Sequence, residues 1–259
     1  MDIWKELQDE GVDAGLLEEI RRFRAAHPLT EEAAARVPAP RYLYYGREIW
    51  ESAAAALLCG QHVLLAGPKA TGKNVLAENL ASVFGRPVWD VSMYVNVDAA
   101  ALIGADTLKD GQVVFREGPI CSCARQGGFG VLDEVNMAKN EALVSRFVVV
   151  DMPVISDENL QKLLRRSFPT LKQEWAVQLT QLFRDLRQKC DNGEISTKAL
   201  DLRGLLSSLH LIEKGITSGE ALKLGIINKA FDPFERQLVA DAVWSRIPQN
   251  ADRAKLFGN

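Results

Sequence analysis

Apolar residues recur at three- and four-residue intervals over 2–27, with Leu16, Ile20 and Phe23 on one face and Glu18, Glu19, Arg21 and Arg22 on the other. That period predicts a helix, and Gly11 and Gly15 are expected to break it in two. Thr30 with Glu31 and Glu32 behind it predicts a second, short helix, since a hydroxyl caps free N–H groups and carboxylates favour the positive helix start. Val37-Pro38-Ala39-Pro40 then reads as a linker. An Ala-rich helix over 48–58 leads into an apolar run, 61–66, stopped by Gly67-Pro68, as a buried parallel strand would be. A helix over 74–84 aligns Val75, Leu76, Leu80 and Val83, and strands are expected at 87–91 and 130–133. Strands alternating with helices imply an α/β fold, a parallel sheet with helices on both faces. After Asp151 only the helical period remains, with helices expected over 157–168, 172–191, 197–214 and 234–246 and turns at Asn192-Gly193 and from Gly215 to Gly219. The expected organisation is a helical N-terminal appendage (1–40), an α/β core (41–150) and a small all-helical domain (151–259).

Composition narrows this further. The 259 residues carry 31 Lys+Arg against 34 Asp+Glu, net charge -3, and 47% are hydrophobic; disordered, collagen-like and disulfide-stapled chains are excluded. The longest apolar run, Ala53 to Cys59, is far shorter than the roughly 20 residues of a membrane span. The start, Met1-Asp2-Ile3-Trp4-Lys5-Glu6, lacks the basic and apolar regions of a signal peptide. Cys59, Cys121, Cys123 and Cys190 do not make a disulfide framework, so a cytoplasmic protein is expected. The acidic balance speaks against a broad nucleic-acid-binding surface.

Gly67-Pro68-Lys69-Ala70-Thr71-Gly72-Lys73-Asn74 reads G-x-x-x-x-G-K between a strand and a helix. Small residues let successive backbone N–H groups turn inward, and the helix start adds positive potential, so the loop suits phosphates. Lys73 would reach the β- and γ-phosphates, and Val75 lies in the same turn. Two positions depart from the pattern. Asn74 stands where a Ser/Thr hydroxyl normally meets Mg²⁺, although an amide carbonyl can also ligate it. Ala70 stands where glycine is common. Phe129-Gly130-Val131-Leu132-Asp133-Glu134 is an apolar strand ending in two acids, the first for the Mg²⁺ shell and the second as general base toward water.

With their flanks these elements resemble AAA+ ATPases, and within them the MoxR-like (dynein-related) group. The resemblance rests on Tyr45-Gly46-Arg47-Glu48, the stretch from His62 to Gly67, Leu102-Ile103-Gly104 with Gly118-Pro119, and the stretch from Gly128 to Asn136, and it spans about residues 42–245. It implies a P-loop NTPase sheet followed by a helical lid, and ATP hydrolysis with Mg²⁺ by a homo-oligomeric ring, a hexamer, that remodels a protein client in a chaperone-like way. A partner with a von Willebrand factor A domain is implied too. The resemblance sets Tyr45 and Gly46 against adenine, and Arg146, in Ser145-Arg146-Phe147, in the neighbouring subunit's site. Lys198 or Arg203 would touch the γ-phosphate; five residues apart, they cannot share one role. Without the resemblance, Arg146 and Arg203 read as surface ion-pair partners. Cys121 and Cys123 read as helix residues, His62 and His210 as packing residues, and Trp4, Trp50, Trp89, Trp175 and Trp244 as core anchors.

One interval does not fit. Only eleven residues separate Glu134 from Arg146, where the family places a helix, a strand with a polar sensor residue and a further helix, needing roughly 30 residues. Either the chain is shortened, or an internal segment is absent from the sequence as it stands. The second is favoured, with its junction at Val144-Ser145, because losing a central strand exposes an edge and leaves a core unfilled. Two other functions stay open: a nucleotide-binding switch or assembly subunit with weak turnover, and a restriction-type nucleic-acid motor, which the lack of basic clusters disfavours.

Overall fold

The computed structural model describes residues 2–93, 99–109, 111–135 and 146–258. The chain forms two compact units, one of Met1–Ala66 with Lys73–Met152 and one of Gly67–Gly72 with Pro153–Asn259.

The first unit opens with α1 (Ile3–Asp9), α2 (Ala14–Ala26) and α3 (Glu31–Ala34). Asp2 caps α1 through Trp4 N–H at 3.0 Å, and Asp13 caps α2 through Leu16 N–H at 2.8 Å. The expected break therefore falls at Gly11, whose φ of 76° suits a turn, while Gly15 lies inside α2. Ile3, Leu7, Leu17 and Ile20 are buried. α2 packs on α4 (Arg47–Leu58) and α5 (Lys73–Phe84), and α1 packs on α5. Arg86, 6% exposed, fastens this packing by donating to the carbonyls of His27 and Gly127. The N-terminal residues thus share the core of this unit.

Its strands are β1 (His62–Ala66), β2 (Val88–Ser92), β3 (Gly104–Lys109), β4 (Gln112–Glu117), β5 (Phe129–Asp133) and β6 (Phe147–Asp151), with α6 (Ala99–Ile103) before β3 and α7 (Pro119–Gln126) before β5. They form three pairs. β1 lies parallel to β6, His62 opposite Phe147, and β2 lies parallel to β5, Val88 opposite Phe129. β3 and β4 make an antiparallel hairpin. Neither the hairpin nor β6 is among the expected strands. β3 is Gly-Ala-Asp-Thr-Leu-Lys, too polar for a buried strand, and no element is expected over the run of β6, which follows Arg146.

The second unit is helical: α8 (Asp157–Ser167), α9 (Gln173–Asp191), α10 (Leu202–Glu213), α11 (Ser218–Gly225), a 3₁₀ turn (Ile227–Lys229), α12 (Pro233–Arg246) and α13 (Arg253–Leu256). Leu164, Leu179, Leu182, Leu205, Leu209, Val239 and Val243 fill its core. Two boundaries differ from expectation. The helix expected from 197 starts at Leu202, because Asp201 caps it by accepting from Arg203 N–H at 3.0 Å. The expected turn around Gly219 is instead the first turn of α11, capped by Thr217 through Glu220 N–H at 3.3 Å. Here glycine matters for packing: a Cβ on Gly204 would stand 2.1 Å from the Gly225 carbonyl oxygen, so α10 and α11 touch backbone to backbone.

Of the interval between Glu134 and Arg146, where an absent segment is expected, only residue 135 is described. The junction expected at Val144-Ser145 lies outside the described residues.

Candidate nucleotide site

The loop Gly67–Gly72 joins β1 to α5. Its φ angles are 143° at Gly67, 62° at Ala70 and 86° at Gly72, the left-handed conformations from which backbone N–H groups converge on an anion. Ala70 carries a Cβ into that region, which costs about 1–2 kcal/mol. Thr71 is buried and its hydroxyl donates to Pro68 O at 3.1 Å, which closes the loop on itself; Pro68 and Lys69 are exposed.

Within the first unit, Lys73 and Asn74 open α5 and meet the end of β5. Burial pushes the Lys73 ammonium below its ordinary value, and the Asp133 carboxylate opposes this. Asn74 Nδ2 donates to Asp133 Oδ2 at 3.1 Å. A carboxylate only accepts, so the amide must turn its N–H to Asp133, and its Oδ1 is the atom left to ligate a cation. A hydroxyl offers the same pair of functions, one donor and one oxygen. Asn74 and Asp133 therefore fit a Mg²⁺ ion. Glu134 takes φ 56°, unusual for a residue with a side chain, and its N–H donates to Asp133 Oδ1 at 2.9 Å. Its side chain is exposed. Val75 is half-buried on α5. Beside Asn74 and Asp133 lies a cavity of about 550 Å³ that Glu78, Asp90, Ser92 and Val131 also line. Burial, and then Asp90, raise the Glu78 carboxyl.

Tyr45 is a core residue, 8% exposed, its hydroxyl pushed up to about 12 by burial and then by Glu10. Gly46 is next at φ 155°, where a Cβ would stand 2.9 Å from the Tyr44 ring. What fixes this segment is Asn79, which sequence reasoning did not single out. Fully buried, it accepts from Tyr44 N–H and donates to Tyr42 O, both at 2.8 Å. The signal was present: a lone amide on the apolar face of α5, beside Leu76, Leu80 and Val83.

Arg146 is exposed just ahead of β6. In the second unit, the Lys198 ammonium lies 5.0 Å from the centre of the Phe231 ring, and Arg203 is exposed in the first turn of α10. His62 lies 5.8 Å from the Phe147 ring, and His210 packs 4.6 Å from Phe168 and 3.2 Å from Glu213. Cys121 and Cys123 lie in α7. Among the described residues no group of three or more metal-ligating side chains gathers, and no helix is long and apolar enough to cross a membrane.

Comparison with known proteins fits this geometry. The chain is similar to three uncharacterized proteins: YojN of Bacillus subtilis (strain 168), SH1500 of Staphylococcus haemolyticus (strain JCSC1435) and SAB1265c of Staphylococcus aureus (strain bovine RF122 / ET3-1). Identity to YojN is 29% over 265 aligned positions, 82% of this chain and 86% of YojN. For SH1500 it is 25% over 256 positions, 78% and 97%, and for SAB1265c 27% over 248, 75% and 94%. Residues 62–188, from β1 into α9, match the family model of the AAA domain (dynein-related subfamily). That match, with the parallel strands and the helices between them, gives the chain the P-loop NTPase fold.

Proposed function

We propose that this protein is a MoxR-like AAA+ ATPase that works as a hexameric ring and remodels a protein client. The observation that carries the reading is the junction of Lys73 and Asn74 with Asp133 across a 3.1 Å hydrogen bond, Glu134 adjoining. Residues 67–75 hold the phosphates, with Lys73 neutralising charge on the β- and γ-phosphoryl oxygens. Mg²⁺, when bound, supplies electrophilic polarisation of the phosphate, and Asn74 and Asp133 are the residues that would hold it. Glu134 accepts the proton of the attacking water, and Arg146 of a neighbouring copy meets the charge that develops on the γ-phosphoryl group. Tyr45 and Gly46 border the adenine, and Lys198 or Arg203 answers the γ-phosphate. A client or a von Willebrand factor A domain partner would find apolar surface on the hairpin, where Leu108 is 77% and Val113 72% exposed. The test is Glu134→Gln. ATP binding should persist while turnover falls by about 10²- to 10⁴-fold, the usual share of a general base; unchanged turnover refutes the assignment.

A second reading, a nucleotide-binding switch without efficient hydrolysis, is favoured by the separation of the sheet into β1–β6 and β2–β5. Binding of ATP with no turnover in the unaltered protein selects it.

A further inference from the structure

In the first unit β2 pairs with β5 and, among the described residues, with no other strand. The ladder fixes which of its peptide groups are engaged. Phe129 N–H donates to Pro87 O at 2.8 Å and Met93 N–H to Asp133 O at 2.9 Å. With Val88 opposite Phe129, the peptide groups of residues 87, 89, 91 and 93 therefore turn to β5, and those of Val88, Asp90 and Ser92 turn to the outer edge. Val88 is already taken. Its N–H donates to Arg36 O at 3.3 Å, and its carbonyl accepts from the Arg36 guanidinium at 3.1 Å, which lies 4.6 Å from the centre of the Trp89 ring. Asp90 and Ser92 are exposed, and among the described residues their peptide groups have no partner on that edge. The linker cannot extend the pairing through Pro38, which has no N–H.

Beside this edge lies the cavity of about 550 Å³, within the size range of ligand pockets. Asp90 and Ser92 of β2 share its wall with Asp133 of β5, and Glu78 reaches it from α5. Its charged lining is three carboxylates, Glu78, Asp90 and Asp133, against one guanidinium, Arg36, so negative charge is in excess. Asp133 is held by Asn74. Glu78 and Asp90 have no ion pair among the described residues, and burial with Asp90 nearby raises the Glu78 carboxyl. Nor do the described acids gather as a set of three metal ligands.

We propose that the outer edge of β2 at Asp90 and Ser92 is a docking site for an extended, lysine- or arginine-bearing segment of a partner protein, which adds a strand to β2 and sets a cationic side chain against the acids of the cavity. Arg36 is the precedent within the chain. Its backbone carbonyl bonds to the edge at Val88 while its cationic side chain lines the same cavity. The occupant would continue that pattern two residues further along β2. Free peptide groups on a sheet edge select an extended backbone, and pockets for its alternate side chains set the preference. Such a strand would lie about 4.8 Å from β2, with every second side chain on the cavity side. Docking here is independent of ATP turnover and uses other residues than the β3–β4 hairpin.

Amide exchange, read residue by residue on the full chain, tests the site. In the unaltered protein Asp90 and Ser92 should exchange faster than Trp89 and Val91, whose N–H groups turn to β5. A synthetic peptide of alternating Thr and Lys should slow Asp90 and Ser92 by at least about 10-fold and leave Trp89 and Val91 nearly unchanged. An alternating Thr-Glu peptide should slow neither pair, and Asp90→Lys should reverse the choice between the two peptides. N-methylation of the Thr-Lys peptide at its lysines or at its threonines should remove the protection for one of the two sets, because only one set turns its N–H groups to β2. No slowing at millimolar Thr-Lys peptide overturns the proposal, as does slowing that survives both methylations. Equal slowing by spermidine would show acids that need no strand and overturns it as well. Slowing that grows with protein concentration in the absence of peptide assigns the edge to a second copy of this chain, against the proposal. If Asp90→Lys does not fold, the methylated peptides decide on the unaltered chain.

Discussion

Asn79→Ala removes one side chain and strands two backbone groups. In the folded chain the Asn79 amide accepts from Tyr44 N–H and donates to Tyr42 O, each at 2.8 Å, and Asn79 is 0% exposed. A buried donor or acceptor left unpaired costs about 1–3 kcal/mol. Tyr44 N–H is buried and should lose the larger amount, whereas Tyr42 O is partly reached by water and should lose the smaller. The sum is about 2–4 kcal/mol, a large part of the stability of an ordinary domain. With a urea dependence of about 1–3 kcal/mol per molar, the unfolding midpoint should fall by roughly 1–2 M. ATP affinity should fall as well, since Tyr45 and Gly46 lose their anchor to α5. Asn79→Asp separates hydrogen bonding from packing. Its carboxylate keeps the bond from Tyr44 N–H but turns a second acceptor on Tyr42 O, so the folded chain favours the protonated acid and raises its pKa. Stability is then retained at low pH and lost as pH rises through that raised value. A loss below about 0.5 kcal/mol for Asn79→Ala, within the range of ordinary surface substitutions, refutes the clamp. A pH-independent effect of Asn79→Asp refutes the role of Tyr42 O.

Three further outcomes are expected. Lys73→Ala should abolish ATP binding in an equilibrium titration, because the loop keeps its amides and loses its mobile cation; unchanged affinity removes the loop from the site. Burial and Asp90 raise the Glu78 carboxyl, so its contribution to stability is complete below the ordinary glutamate value and is lost as pH rises through the raised one. Glu78→Gln should therefore raise the melting temperature at about pH 7–8 and lose that advantage near pH 4, and a gain that ignores pH contradicts it. Ala70→Gly relieves a left-handed residue at φ 62° and should stabilise by about 0.5–1 kcal/mol after the added freedom of the unfolded chain is subtracted, read by thermal unfolding. A loss of stability would show that the Ala70 methyl is held by contacts worth more than the strain.

How far the sequence speaks depends on where a residue's energy comes from. Local rules located β1, α5 and β5, because continuous apolar runs, caps and a glycine-rich turn act within a few residues of each other. They also brought Lys73, Asn74 and Asp133 to one place, since a phosphate loop and an acid-tipped strand imply each other. The hairpin of β3 and β4 stayed hidden because its apolar side chains are exposed: Leu108, Val113 and Phe115 mark no buried face. The start of α10 was missed by five residues because the Asp201 cap outweighs the helical period before it. Asn79 was missed for the opposite reason. Its partners, Tyr42 and Tyr44, lie 37 and 35 residues away, and no local pattern encodes a bond across that distance.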